Sequence, residues 1–434
     1  MSEQQFTITV DQNKFLPEGG REVHAIVSVE STGAAGAAPG AVSAAEVIII
    51  DTSGSMAYPD TKLRSAVAAA QTAVDTIRDG VHFAVVSGAN SATMVYPGGA
   101  ALVRADDRTR WEAKQALSRL QAAGGTAIGS WLRLADELFD AHQDGIRHAI
   151  LLTDGKNQHE TAEQLDAVLA RCTGRFVCDC RGVGTDWEVA ELRKISSALL
   201  GSVDIVADPE DLVADFQAMT KAAMGKNVAD VALRVWTPQT GRIRFVKQVM
   251  PTVEDLTDRR TEAGPQAGDY PIGAWGAESR DYHICVEVPP GEVGKELRAA
   301  WVKLVVPGAP GEEPKVAATG NVLAQWTDDE AQSTRINPRV AHYTGQAELA
   351  QAIQEGLQAR KEGDLDTATA RLGRAVQLAH RSGNEETARL LRRVVDVEDP
   401  ATGTVRLRKH VDKVDEMSLD TRSSKTVRTR RREG

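Results

Sequence analysis

Cysteine is scarce in this chain: four thiols in 434 residues, at Cys172, Cys178, Cys180 and Cys285. So few cannot form the framework that holds small secreted domains together, and they fit a reducing compartment. Long hydrophobic runs are missing too. No apolar stretch reaches the roughly 18 residues that would cross a bilayer, so no membrane role is expected. The opening MSEQQFTITV lacks a basic segment followed by an apolar one, which argues against a secretory leader and for a cytoplasmic location. Positive charge is in deficit, with 51 Lys and Arg against 61 Asp and Glu and a net charge of −10, so nucleic acid is not an expected partner. No GxxxxGK[ST] pattern occurs, and bound nucleotide has no support. No Ser-His-Asp or Cys-His grouping can be argued from spacing, so the chain is not expected to be an enzyme.

What is present is ordinary for a folded protein: 42% hydrophobic and 26% charged residues. At about 150 residues per domain the length suggests about three domains. The usage, rich in Ala, Arg, Gly and Val, is of the high-GC bacterial kind. Charge is uneven. From Val405 to Gly434 there are ten Lys/Arg and five Asp/Glu, a basic end on an acidic body.

The chain divides into five stretches. Residues 1–42 hold two strands, Phe6–Val10 and His24–Glu30, then a Gly/Ala linker over Ser31–Ala41. Residues 43–225 alternate short apolar runs with helical periodicity. The runs start at Glu46, Val81, His148, Arg175 and Val203, with Ala92–Tyr96 as an antiparallel neighbour. This alternation predicts an α/β fold with a doubly wound, mostly parallel sheet and helices on both faces. Residues 226–330 show strands without helical signals and suggest an antiparallel β-sandwich, completed by the first strands; the α/β domain is then inserted into it. Residues 340–396 form a small α-helical module, a pair over Gln346–Arg381 and a third helix at Glu385–Val395, faintly of the tetratricopeptide kind. Residues 397–434 read as a basic, disordered tail.

Three separated pieces carry the chemistry: Asp51-Thr-Ser53-Gly-Ser55, Gly124-Gly-Thr126 and Thr153-Asp154-Gly155. Two follow buried strands and one precedes a helix, so all three loops can reach the carboxyl end of a parallel sheet, where ligands bind. Together they bring two carboxylates and three hydroxyls. These are hard oxygen donors, with neither imidazole nor thiolate, and they suit Mg²⁺, or Mn²⁺ or Ca²⁺, rather than zinc. Neutral hydroxyls leave the ion under-compensated, so it favours one more anionic oxygen from outside, such as an Asp or Glu of a partner protein. Ser, Asp and Gly after strands also serve as plain helix caps, but here three loops agree. A phosphate-transfer nucleophile of the haloacid-dehalogenase kind needs a second Asp two residues on, where this chain has Ser53.

At these residues the sequence resembles a von Willebrand factor type A domain, over roughly Ala44 to Met224. The resemblance is to the bacterial, intracellular kind with a complete metal-ion-dependent adhesion site. It implies that Ser53, Ser55 and Thr126 reach the metal through their hydroxyls, while Asp51 and Asp154 act largely through water. It also implies metal-dependent protein binding rather than catalysis: a scaffold or adaptor, with kinase-linked signalling or stress response as a candidate setting. The alternative is a subunit partnering an AAA+ ATPase of the chelatase or MoxR type; a metal-dependent hydrolase ranks lower, for want of a general base.

Weaker signals have plainer readings. Cys172, Cys178 and Cys180 lack a complete zinc donor set and read as core. His82 and His148, each opening a strand, read as structural. The tail sets Thr421, Ser423, Ser424, Thr426 and Thr429 among Arg and Lys. It is either a solvated end or a Ser/Thr kinase target, with Thr421 and Thr426 favoured and a forkhead-associated-type reader as partner.

Overall fold

The computed structural model describes residues 5–32, 43–143, 145–308 and 312–428. Most of the Gly/Ala linker and the last six residues of the tail lie outside the described residues. The chain divides into two compact units: Gly36–Asp230 with Gly273–Gly276, and Met1–Ala35 with Val231–Ile272 and Ala277–Gly434. The second unit opens the chain with strands β1 (Phe6–Gln12), β2 (Phe15–Pro17) and β3 (Glu22–Ser31).

The α/β unit follows. Its elements are β4 (Ala44–Asp51), α1 (Thr61–Thr76), β5 (His82–Gly88), β6 (Ala92–Tyr96), β7 (Val103–Arg104), α2 (Asp107–Leu117), α3 (Ile128–Phe139), β8 (Ile146–Thr153), α4 (Ala162–Cys172), β9 (Val177–Val183), α5 (Val189–Ala198), β10 (Val203–Val206) and α6 (Leu212–Met224). The sheet runs β10-β9-β8-β4-β5-β6, with β7 beside β5. Pairs β10–β9, β9–β8, β8–β4 and β4–β5 are parallel, while β6 runs antiparallel to β5. All eight residues of β4 are buried, Glu46 and Asp51 among them, because the strand is central in the sheet and covered on both faces. Helix α1 buries a face of small residues, Ala66, Ala69, Ala70 and Ala73. The chain reverses its direction of winding between β4 and β8. That reversal opens a crevice at their carboxyl ends, the switch point of an open α/β sheet.

Toward the amino end of the same strands, a buried ionic row crosses the sheet. His148 Nδ1 lies 2.9 Å from Glu46 Oε1 and its Nε2 lies 3.0 Å from Asp179 Oδ2. Burial alone would lower the His148 pKa; the Glu46 and Asp179 carboxylates outweigh it and hold the pKa up to about 10. His148 is thus structural, as its sequence position suggests. Cys172, Cys178 and Cys180 are all fully buried in this unit.

The chain then supplies β11 (Val228–Trp236), β12 (Arg242–Met250), β13 (Glu254–Asp255), β14 (Thr261–Gly264), β15 (Ala267–Trp275), β16 (Glu278–Glu287), β17 (Glu296–Val306) and β18 (Lys315–Thr327). Two sheets result, β1-β3-β16-β12-β13 and β14-β15-β11-β17-β18-β2. The two strands read from the first 30 residues enter the first sheet, β3 between β1 and β16. The sheets pack closely: a Cβ on Gly320 of β18 would stand 2.7 Å from Ile8 Cγ2 of β1. Strand β15 has no signal in the sequence, because Gly268, Pro271 and Gly273 weaken its pattern; Tyr270, Ile272 and Trp275 are nonetheless buried.

A short α7 (Glu330–Ser333) precedes α8 (Pro338–Glu362), α9 (Leu365–Ser382) and α10 (Glu385–Val394). Helix α8 begins eight residues before the expected Gln346, capped by Asn337, whose Oδ1 accepts from Arg339 N at 2.9 Å. Its first turns are tied to the first sheet: Arg339 bridges Asp11 at 2.7 Å and Asp281 at 2.8 Å, and Tyr343 donates to the same buried Asp281.

The expected disordered tail is corrected by the structure as far as Arg428. The chain folds a hairpin, β19 (Val395–Asp399) and β20 (Thr404–Leu407), and then α11 (Lys413–Arg422). Apolar anchoring explains the order, since Val395 and Leu419 are buried against α9 and α10 residues. Its charges are paired rather than merely solvated: Arg406 with Glu398 at 2.6 Å, Arg408 with Asp396 at 2.9 Å and Arg393 with Asp415 at 3.0 Å. Beyond α11, Thr426 Oγ1 donates to Val249 O at 2.6 Å, and Arg428 pairs with Glu30 at 2.9 Å. Among the described residues no helix is long and apolar enough to cross a membrane.

Candidate metal centre

The crevice between β4 and β8 is where the three sequence pieces meet. Asp51 ends β4. Its Oδ1 accepts from the backbone N of Ser53 at 2.7 Å and its Oδ2 from Thr153 Oγ1 at 2.5 Å. Ser53 Oγ and Ser55 Oγ are 3.0 Å apart, and Ser55 Oγ donates to Asp154 Oδ1 at 2.6 Å. The Thr126 loop is stitched to the Asp51 loop by Gly54 N to Gly124 O at 2.9 Å and Ala123 N to Thr52 O at 2.7 Å. Gly155 completes the ring. A Cβ there would lie 3.2 Å from Thr126 Oγ1, 3.5 Å from Ser55 Oγ and 4.0 Å from Asp51 Oδ2. All five residues named from the sequence therefore converge on one spot.

Burial pushes the Asp51 carboxyl up to about 6, against the hydrogen bonds from Ser53 and Thr153 that favour its charged form. A carboxylate so held gains from a nearby cation. The donor set is entirely oxygen, and the O···O spacings of 2.6 and 3.0 Å resemble the ~2.9 Å edges of an octahedral Mg²⁺ shell. The residues present thus fit a hard divalent ion.

Sequence reasoning missed Lys62. Its Nζ donates to Asp154 Oδ2 at 2.7 Å and lies 3.6 Å from Asp186. A signal was available, because Lys62 falls four residues before Ala66 on the buried alanine face of α1. The loop over residues 157–160 was missed as well. Thr126 N donates to His159 Nδ1 at 3.2 Å, and the first amides of α3 are held by Asn157 Oδ1, 3.1 Å from Ile128 N, and Glu160 Oε2, 2.6 Å from Gly129 N. These contacts place the Thr126 hydroxyl. The proposed tail sites fare differently. Thr421 is 1% exposed, so the folded chain does not present its hydroxyl to a kinase, and the Thr426 hydroxyl is engaged by the Val249 carbonyl. Thr429 lies outside the described residues.

Comparison with known proteins agrees with this geometry. A family model described as von Willebrand factor type A domain matches residues 45–205, and one described as von Willebrand factor type A C-terminal domain matches residues 377–423. The chain is similar to a solved structure described as von Willebrand factor type A from Catenulispora acidiphila, with 53% identity, a TM-score of 0.94, and 99% of this chain and 98% of that one covered. The ArnB paralog VWA2 from Sulfolobus acidocaldarius shares the fold at TM-score 0.62 and 15% identity, over 97% and 98% of the two chains. The uncharacterized protein sll0103 of Synechocystis is 27% identical over 148 residues, 33% of this chain and 35% of its own length.

Proposed function

Since this chain belongs to the von Willebrand factor type A family, we propose that it is a metal-dependent protein-binding adaptor whose crevice holds Mg²⁺, or Mn²⁺ or Ca²⁺, and captures a carboxylate from a partner protein. The observation that carries the reading is the meeting of Asp51, Ser53, Ser55, Thr126 and Asp154 around Gly155, from three loops at the sheet's switch point. The ion, when bound, supplies a Lewis-acidic centre that attracts an outside anion. The chain's residues do the rest. Asp51 and Asp154 furnish negative charge, and the three hydroxyls furnish neutral oxygen. The pairing of Asp154 with Lys62 cancels part of that charge, so the site attracts a cation without satisfying it. Tyr58, three residues past Ser55, is 86% exposed and offers a partner the aromatic contact that protein interfaces favour.

The test is affinity capture from native lysate with the full chain as bait, in Mg²⁺ and in EDTA. A partner retained only in Mg²⁺, and lost with Asp51→Ala, supports the reading. Capture that persists in EDTA overturns it. An AAA+ ATPase as the dominant Mg²⁺-dependent partner would assign the chain to a chelatase-like or MoxR-like machine instead of a free-standing adaptor.

A further inference from the structure

A second cluster of ligating side chains lies on the first sheet of the sandwich unit, built from β3 and β16. His24 and Cys285 are cross-strand partners in the antiparallel register, and Ile26 pairs with His283. Cys285 Sγ is 3.8 Å from His24 Nε2, and Glu22 Oε2 is 4.0 Å from the same nitrogen. The three ligand atoms all fall within 4.8 Å of one another. In tetrahedral zinc such donors stand about 3.4–3.6 Å apart. Closing the set takes a movement of up to about 1 Å, and the Glu22 side chain, 52% exposed, has room to make it.

Two neighbours orient the set before any ion arrives. His24 Nδ1 lies 3.1 Å from His283 Nε2. With Nδ1–H donating across that contact, the lone pair of His24 sits on Nε2 and faces Cys285 and Glu22. A ligating histidine is ordinarily fixed in this way through its second nitrogen. On the other side, Arg244 Nε lies 3.7 Å from Glu22 Oε1 and leaves Oε2 turned toward His24. Cys285 is 2% exposed, whereas the His24 and Glu22 side chains reach solvent at 32% and 52%. The cluster is therefore closed beneath and open above.

We infer that Glu22, His24 and Cys285 form a zinc-class metal site with three protein ligands and a solvent-facing fourth position, held in register by His283. One thiol, one imidazole and one carboxylate select a borderline-soft ion such as Zn²⁺ over the hard ions suited to the Asp51 crevice. Binding releases the Cys285 thiol proton to solvent. The site shares no residue with the crevice and does not depend on the adaptor reading.

The probe is Co²⁺ added to EDTA-stripped full-length protein in excess Mg²⁺. Near-ultraviolet thiolate-to-cobalt charge transfer and intense tetrahedral d–d bands are expected at about one equivalent. The Asp51 crevice has no thiolate, so it cannot produce the charge-transfer band. Cys285→Ser abolishes the band, and Asp51→Ala leaves it intact. The exposed Glu22→Gln and the positioning variant His283→Phe weaken Co²⁺ and Zn²⁺ about 10–100-fold. Circular dichroism checks that each variant is folded. Absence of the band at saturating Co²⁺ in the wild type, or its survival in Cys285→Ser, overturns the assignment. Loss of Mg²⁺-dependent partner capture with the cobalt band unchanged would fault only the adaptor reading.

Discussion

The ammonium of Lys62 meets the carboxylate of Asp154 at 2.7 Å inside the protein, with Lys62 7% exposed and Asp154 fully buried. A cation from the chain's own helix thus engages a carboxylate of the candidate metal site. The pair holds Asp154 in place without metal and reduces the negative charge an ion would meet.

Removing that cation separates the two effects. Lys62→Met leaves Asp154 buried without a counter-charge and is expected to cost about 3–5 kcal/mol in metal-free protein. The more negative crevice then binds Mg²⁺ more tightly. Thermal melts with and without Mg²⁺ should show a lower metal-free midpoint and a larger Mg²⁺-induced rise than wild type.

Thr126→Ala deletes one hydroxyl and should weaken Mg²⁺ about tenfold or more, the scale on which metal-site changes act. Gly155→Ala should do the same by crowding, since its Cβ would stand 3.2 Å from Thr126 Oγ1. Both are expected to keep metal-free stability within about 1 kcal/mol of wild type. Isothermal titration with Mg²⁺ and urea unfolding in EDTA check the two halves of this statement.

The Glu46–His148–Asp179 row sets a pH dependence. A histidine whose pKa is raised from about 6.5 to about 10 on folding contributes stability that is full below pH 6.5 and lost as pH climbs to about 10. His148→Gln should cost of the order of 3 kcal/mol near pH 6, because Glu46 is fully buried. The gap between the two proteins should shrink as pH rises from 6.5 to 10, as urea titrations across that range will read.

Thr421 should resist phosphorylation while the chain is folded. A basic-directed Ser/Thr kinase given the native protein is expected to leave it unmodified, yet to modify a free peptide over residues 415–428. Mass spectrometry of the two products decides; stoichiometric phosphate on Thr421 in the native protein would show that α11 opens readily.

What the sequence made legible was local. Asp51, Ser53, Ser55, Thr126 and Asp154 were found because each sits in a loop beside a strongly apolar strand or a helix start, where polar residues stand out. Lys62 was hidden because one charge on an alanine-rich helix looks solvated until the sheet is laid against it. The hairpin over residues 395–407 was hidden by its composition: Val395, Val397, Val405 and Leu407 alternate with charges that pair across the strands, which resembles a tail until the partners are known. Glu22, His24 and Cys285 were invisible as a group, since only the β3–β16 pairing brings positions 24 and 285 face to face.

The interrupted course of the sandwich unit bears on how the molecule is made. Strand β3 emerges from the ribosome early, but its neighbour β16 is not synthesised until Glu278–Glu287. During that interval the whole Gly36–Asp230 unit can collapse on its own core. A nascent chain released too soon would carry a finished α/β unit together with an apolar strand still waiting for half of its hydrogen bonds, a form prone to sticking to its neighbours.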